Sequence, residues 1–483
     1  MHVNLLISGN SVPAVGGGKF VRKNPISKVV VTTAAAAKKE DVDNAVEAAA
    51  EAFKTWSKTG PTARRSILLK IADEFERSVA DFMGKAHEET GATKMWLGFN
   101  VKVAAGMIRE AAAMTTQIKG EVIPSDKPGS TAMAVRRPVG VLVGMAPWNA
   151  PIILAVRACV MPIACGNTVV LKASERCPGT HRMIAEVFQK GGLPDGVLNV
   201  ITHSAEDAPE VVTSLIAHPK VKRINFTGST PVGKIIAAEA AKCLKPVLLE
   251  LGGKAPMLVL KDANVDAAVN AAAFGAYMNQ GQICMSTERL IVDERIADEF
   301  VEKFAAKAAS LSFGDGTSGD VVIGSVVDED ILDRVRVLVD DARNKGAVIA
   351  CGEVPVSGTV MGATIVDWVT KDMSIYGQES FGPVVAVIRA RDADHAIELA
   401  NDSDFGLAAS VFATDINEAI RVANSIDSGI CHINGPTVFD EAQMPFGGIK
   451  DSGYGKFGGQ QGVEQFTELR WLTIEDPNQH YPF

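Results

Sequence analysis

The sequence has no two cysteines in C-x-x-C spacing, no basic run, and no uninterrupted apolar stretch long enough to cross a bilayer. Its seven cysteines, at 159, 165, 177, 243, 284, 351 and 431, are odd in number and scattered, so neither a disulfide framework nor a zinc site is suggested. The lack of basic runs, with a net charge of −9, argues against a nucleic-acid or anionic-membrane partner. The longest apolar stretch, residues 139–171, is broken by Pro147, Pro151, Arg157 and Pro162 and reads as buried strand, turn and helix. The opening MHVNLLISGN has no basic region and too short an apolar run for a signal peptide. A reducing cytoplasm is the expected location, and no metal is expected.

What is present is alternation. At 483 residues the chain exceeds the usual limit of one core, and 47% hydrophobic with 22% charged residues suits a globular enzyme of two or three domains. EDVDNAVEAAAEAFKTWSK, PTARRSILLKIADEFERSV and KMWLGFNVKVAAGMIREAAAMTTQIKG read as helices, the last ending at Gly120, which makes the first third mostly helical. GEVIPSD and TAMAVRRPVG, joined by Lys127-Pro128-Gly129, read as an exposed hairpin. The strands VGVLVGMAP, NTVVLKA, GVLNVIT, VKRINF and PVLLELG then alternate with helices or turns, and PMLVL, RLIVD, AVIAC, VVAVIRA, AASVFA and GICHIN follow after Gly252. Continuous Val, Ile and Leu implies strands buried on both faces, hence parallel sheets covered by helices. The fold class is α/β, with two such domains and a hairpin inserted in the first. The closing strand, within EQFTELRWLTIEDPNQHYPF, is expected to extend that hairpin's sheet.

FTGSTPVGKI, residues 226–235, matches the phosphate loop G-x-x-x-x-G-K-[ST] except at Ile235, where the magnesium-binding hydroxyl is missing. An NTPase is therefore disfavoured, but a strand-to-helix turn with glycine attracts phosphate whatever the nucleotide. Glu175 ends another strand, three residues after Lys172, where an acidic residue commonly accepts from an adenosine ribose; a solvated surface pair is the alternative. Cys284, just after Gly281, is presented on a turn as a candidate nucleophile, although most cysteines are inert core. Glu250 leaves a buried strand and is a candidate general base, against a helix-cap or ion-pair role. Asn149 on a turn can donate to an oxyanion, or serve only local hydrogen bonding.

In this order, PWNAP, LKASE, FTGSTPVG, LELGGKAP, GQICMS, QESFGP and PFGGIKDSGYG resemble the aldehyde dehydrogenase superfamily over nearly the whole chain. The segments QHYPF and MWLGFN are similar to bacterial members acting on aromatic aldehydes of the benzaldehyde, salicylaldehyde or vanillin type. The resemblance implies a Rossmann-like NAD-binding domain (1–118 and 138–250), a catalytic domain (251–448) and a small bridging sheet (119–137 and 466–483) for a homodimer or homotetramer. It implies Cys284 as nucleophile, Glu250 as base for hydrolysing the thioester, and Asn149 with the Cys284 N–H as oxyanion donors. Trp148, Lys172, Glu175, Gly228, Ser229, Glu379 and Phe381 would hold the cofactor, and Lys234 would not bind phosphate. NAD is favoured over NADP because Glu175 would oppose a 2′-phosphate.

The aldehyde tunnel would be lined by Ala150, Ile153, Leu154, Arg157, Met278, Ile283, Met285 and Phe446. Arg157 is expected to meet a ring hydroxyl, with Trp96 stacking on the ring; an ion pair of Arg157 with Asp440 or Glu441 is the equal alternative. An aliphatic or semialdehyde substrate is the rival reading. Many relatives carry a second glutamate where this chain has Phe457, which leaves the proton's exit route open.

Overall fold

The computed structural model describes residues 1–316, 321–478 and 480–483. Residues 317–320 of the expected catalytic domain, and Gln479 of the terminal QHYPF segment, lie outside the described residues.

Five parallel strands form the centre of the first sheet, in the spatial order Val247–Glu250, Val221–Thr227, Val141–Met145, Thr168–Lys172, Leu198–Ile201. By sequence this is 5-4-1-2-3, the doubly wound order of a dinucleotide-binding sheet. Antiparallel strands finish its edges, Gly453–Tyr454 on one side and Leu5–Ile7 with Asn10–Val12 on the other. The second sheet runs Val348–Cys351, Thr364–Asp367, Val384–Ala390, Thr287–Asp293, Ala255–Val259, Ala408–Phe412, Ile430–Ile433. Every neighbouring pair in it is parallel except the first.

The apolar stretch after residue 139 resolves as expected into strand, turn and helix. Every residue of the helix Pro151–Ala164 is buried, as befits a helix apolar on all sides. Pro162 lacks an N–H, so the Ala158 carbonyl has no partner inside the helix. Asn225 Nδ2, from the neighbouring strand, donates to that carbonyl at 3.1 Å.

The exposed hairpin is also present: Glu121–Ile123 pairs with Thr131–Pro138, and the closing strand Thr467–Ile474 pairs with Thr131–Pro138 in unbroken antiparallel register. Three expectations need correction. Residues 2–35, within the third expected to be mostly helical, form five short strands, among them Lys19–Lys23 and Val30–Ala35, with a single 3-10 turn at Val15–Gly17. Three of these strands have only two or three residues, too few to carry a readable period. An additional helix, Val79–Thr90, precedes Lys94–Met114, and the latter stops six residues short of Gly120. There the Thr115 and Thr116 hydroxyls bond back to the Ala112 and Ala113 carbonyls, competing with the helical ladder. The strand Thr364–Asp367 was likewise not anticipated.

Asn167 ties several of these elements together. Its Oδ1 accepts from Val139 N (2.7 Å) and Gly140 N (3.1 Å), and its Nδ2 donates to the carbonyls of Pro162 (3.0 Å) and Phe466 (2.8 Å). The residue is fully buried, so Asn167→Ala leaves several polar groups unpaired and is expected to cost on the order of 3 kcal/mol. The measurement is the urea midpoint, and an unchanged midpoint would refute this role.

Candidate active site

Between the helix Val265–Tyr277 and the strand Thr287–Asp293 the chain makes a tight turn. Asn279, Gln280 and Gly281 have φ of +48°, +60° and +71° in succession. Left-handed backbone costs about 1–2 kcal/mol for a residue with a Cβ, so neighbours must hold it. Asn279 Nδ2 donates to the Asn149 carbonyl (2.8 Å), Gln280 Nε2 to the Ser325 carbonyl (3.3 Å), and Val327 N donates to Gln282 Oε1 (3.0 Å). At Gly281 a Cβ would lie 2.1 Å from the Gly382 carbonyl oxygen, and one at Gly253 would lie 2.2 Å from that of Cys284. The cysteine is thus set by direct backbone contact with two other loops.

Asn149 follows the strand Val141–Met145 and is buried. Its Nδ2 donates to the Gln282 carbonyl at 2.9 Å, which fixes the amide and leaves its second N–H for another acceptor. Among the described residues the Cys284 backbone N–H has no partner.

Glu250, at the end of its strand, is completely buried, and burial pushes its pKa up to about 7, against the pull of Arg157. The Cys284 thiol is close enough to act on the carboxyl, yet neither Glu250 oxygen completes a hydrogen bond. Burial, and then the charge of Glu250, push the thiol well above its ordinary range. The resting pair is a neutral thiol beside a carboxyl that titrates near neutrality, suited to passing a proton from sulfur to oxygen.

Two spaces meet at Cys284 and Asn149. The first is a cavity of about 540 Å³ whose wall includes all the expected tunnel residues: Trp96, Ala150, Ile153, Leu154, Arg157, Met278, Ile283, Met285 and Phe446. Sequence reasoning missed Phe99, Val103, Phe274, Val438 and Phe439 there, while Asp440, named only as a partner of Arg157, is also on the wall. Phe99 and Val103 stand three and seven residues after Trp96, a helical spacing that could have found them. Trp96 Nε1 donates to the Asn149 carbonyl (3.0 Å), and its ring packs on Phe99 at 5.6 Å. Arg157 forms the ion pair with Asp440, and its guanidinium lies 4.2 Å over the Phe446 ring. Phe457 packs behind it, 5.8 Å from the guanidinium and 6.2 Å from the Phe466 ring.

The second space, about 440 Å³, holds Trp148, Glu175, Gly228, Ser229, Glu250, Glu379 and Phe381 on its wall. It opens beyond the strands Val141–Met145 and Val221–Thr227, where the strand order reverses and doubly wound folds bind nucleotides. Lys172 is not on this wall; it sits at its strand's end, its pKa lowered by burial and opposed by nearby Glu175. Burial pushes the Glu175 carboxyl up, but Lys172, its own backbone N–H, Arg176 and His203 outweigh this and hold it below the usual range. Lys234 points away, paired with Asp451 at 2.6 Å on the surface.

Arg176 and Arg334 were missed. Arg176 pairs with Asp328 and, at 3.6 Å, with Glu175, and lies 5.4 Å from the Trp148 ring. Glu379 is pushed up to about 7 by burial and then by the charge of Glu288, while its Oε1 accepts from Gly253 N at 2.8 Å. The first turn of the helix Thr230–Lys242 lacks a side-chain cap, so its free N–H groups offer an anion site beside Gly228 and Ser229. A carboxylate for sugar hydroxyls, an aromatic pair and helix N–H groups for phosphate together fit a nicotinamide dinucleotide. Among the described residues there is no cluster suited to a metal ion and no helix long and apolar enough to cross a membrane.

A doubly wound sheet whose switch-point cleft meets an apolar cavity at a cysteine is the architecture of a dinucleotide-dependent oxidoreductase. The model of the aldehyde dehydrogenase family matches residues 13–472. A vanillin dehydrogenase of Pseudomonas fluorescens is 55% identical over 482 residues, with all of both chains covered. The crystal structure of a salicylaldehyde dehydrogenase from Pseudomonas putida G7, complexed with salicylaldehyde, matches with a TM-score of 0.98 and 49% identity over 100% of each chain. An NADP dependent enzyme of E. coli matches at 0.95 and 31% identity over 98% of each. The chain belongs to the aldehyde dehydrogenase family, and is an oxidoreductase working with NAD(P).

The thiol–carboxyl pair makes a pH prediction. Iodoacetamide labelling of Cys284, followed by mass spectrometry of its peptide, is expected to accelerate as pH rises through about 7, where Glu250 becomes a carboxylate able to take the proton. Glu250→Gln should remove that inflection; labelling indifferent to residue 250 would exclude the carboxyl as proton acceptor.

Proposed function

We propose that the protein oxidises an aromatic aldehyde of the benzaldehyde, salicylaldehyde or vanillin type to its carboxylic acid, with NAD favoured over NADP. The observation that carries this reading is the apolar cavity closed on Cys284, walled by Trp96, Phe99, Phe274 and Phe446 and holding one buried ion pair. The relatives named for vanillin and salicylaldehyde support it.

In this reading Glu250 takes the thiol proton and the Cys284 sulfur attacks the aldehyde carbon. The second Asn149 N–H and the Cys284 N–H receive the developing oxyanion, each contributing about 3 kcal/mol. A bound nicotinamide dinucleotide supplies the acceptor for the hydride whose loss leaves a thioester. Glu250 gives up the thiol proton to solvent and, a carboxylate again, takes a proton from the water that hydrolyses the thioester, so one residue serves both proton transfers. Glu175, backed by the charge of nearby Lys172, serves the adenosine ribose, and Glu379 and Phe381 the nicotinamide side. NAD is favoured because Glu175 is ionised and the adjacent Arg176 is already engaged by Asp328 and Glu175, leaving a 2′-phosphate facing negative charge.

Arg157 is proposed to meet a ring hydroxyl with its remaining N–H groups. A semialdehyde carboxylate suits the site less well, because Asp440 occupies the guanidinium and would repel a second anion. The first and second sheets are proposed as cofactor and catalytic domains with the boundaries given above. The sheet of the hairpin and the closing strand Thr467–Ile474 is proposed as the bridging sheet of a dimer or tetramer, since it exposes Val122, Leu469, Trp471 and Ile474.

Purified protein is expected to form NADH faster from salicylaldehyde, vanillin and benzaldehyde than from hexanal or succinic semialdehyde, and Cys284→Ala to form none. Leading kcat/KM with hexanal or the semialdehyde would overturn the substrate reading. Removing Arg157 alone would strand Asp440, so the test variant is Arg157→Met with Asp440→Asn. It should lose about tenfold or more on hydroxylated aldehydes relative to benzaldehyde, roughly one good hydrogen bond to a charged group; equal losses would exclude the hydroxyl contact. Trp471→Glu is expected to reduce the mass measured by light scattering to that of a smaller assembly, and an unchanged mass would exclude this strand from the interface.

A further inference from the structure

Four residues beyond Cys284, on the strand that follows it, stands a buried carboxylate the reaction above does not use. Glu288 and Lys254 are 4% and 2% exposed, with Lys254 Nζ 2.5 Å from Glu288 Oε2. The carboxylate turns the rest of its capacity to one short segment. It accepts from Ser380 N at 3.0 and 2.8 Å through its two oxygens, and from Phe381 N at 3.0 Å. Lys254 also donates to Ser380 Oγ at 3.2 Å, and its neighbour Gly253 donates its N–H to Glu379 Oε1. Glu379, Ser380 and Phe381 are thus gripped by the Gly253-Lys254 loop and by Glu288.

The grip has work to do, because Phe381 lies in the left-handed region with φ of +53°. The anchor is itself rigid: Arg289 donates to the Lys254 carbonyl at 3.2 Å and to those of Leu399 and Ala400 at 2.8 Å each. One strand therefore carries the cysteine loop at its start and, at Glu288 and Arg289, the fixings of the segment opposite.

We propose that Glu288, with Lys254, is a positioning residue that holds the Glu379–Phe381 turn, and through it the nicotinamide end of the cofactor, at a fixed offset from Cys284. The proposal rests on the reading in which Glu379 and Phe381 hold that cofactor. Glutamine cannot replace the carboxylate, because Lys254 and two backbone N–H groups converge on one side chain and an amide would turn a donor toward one of them. The offset matters because a misplacement of about 1 Å at a reacting centre costs roughly 10²-fold in rate.

The test uses Glu288→Gln, and the charge-free pair Lys254→Met with Glu288→Gln, which leaves no stranded buried charge should the single variant fold poorly. Three quantities are read: the Kd for NADH by fluorescence titration, NAD-dependent oxidation of salicylaldehyde, and hydrolysis of 4-nitrophenyl acetate. The ester needs acylation of Cys284 and deacylation by Glu250, but no cofactor. Expected are a Kd for NADH raised about tenfold, kcat for oxidation lowered about 10²-fold, and ester hydrolysis within about twofold of wild type. Equal losses in both activities, or an unchanged Kd for NADH, would overturn the positioning role. The NADH titration decides that role even if the unaltered protein oxidised none of the aldehydes, a result that would sink the proposed function instead.

Discussion

The site depends on backbone lying directly against backbone where the link between the two sheets meets the loops that enter the second. The Gly253 Cα faces the Cys284 carbonyl, and Gly281 faces the Gly382 carbonyl, at separations where a Cβ would overlap by more than an ångström. Contacts of that kind leave little room for sliding. They place a cysteine from one sheet, and a carboxylate and an amide from the other, at the junction of two spaces, one apolar and one polar.

Burial then sets the chemistry. A carboxyl without a hydrogen-bond partner costs stability, about 1–3 kcal/mol, and few proteins keep one without use for it. Here the same burial that makes Glu250 costly lifts it to about 7, where it can both take and return a proton. The thiol beside it is lifted further, so sulfur becomes nucleophilic only by handing its proton on. Arg157 and Asp440 are the charged pair sensed at this centre, and their mutual pairing lets an ionic contact line an otherwise apolar cavity.

Much of this was legible in the chain. The five strands of the first sheet and most of the second read as runs of Val, Ile and Leu because strands buried on both faces have no polar side to show. Cys284, Glu250 and Asn149 were candidates from their places at a strand's end or beside a glycine turn, but each had an inert alternative, and only the family resemblance of the surrounding motifs gave them roles. Within residues 2–35 the three strands of two or three residues left no period to read, and Lys19–Lys23 and Val30–Ala35 went unread as strands. Phe439 was missed as cavity wall because it lies about 280 positions from Arg157, with no local pattern pointing there, whereas its neighbour Asp440 had been named as a partner of Arg157.

The sequence alone determined the class of fold, the alternation that builds it and the reactive groups available, because those follow from local periodicity and short-range turn chemistry. Only the tertiary structure decided that Arg157 faces Asp440, that Lys234 turns to Asp451 on the surface, and that Glu288 holds the segment from Glu379 to Phe381. Each of those pairings joins residues brought together by the stacking of strands and helices. Their partners are chosen by geometry across the fold, which no spacing along the chain records.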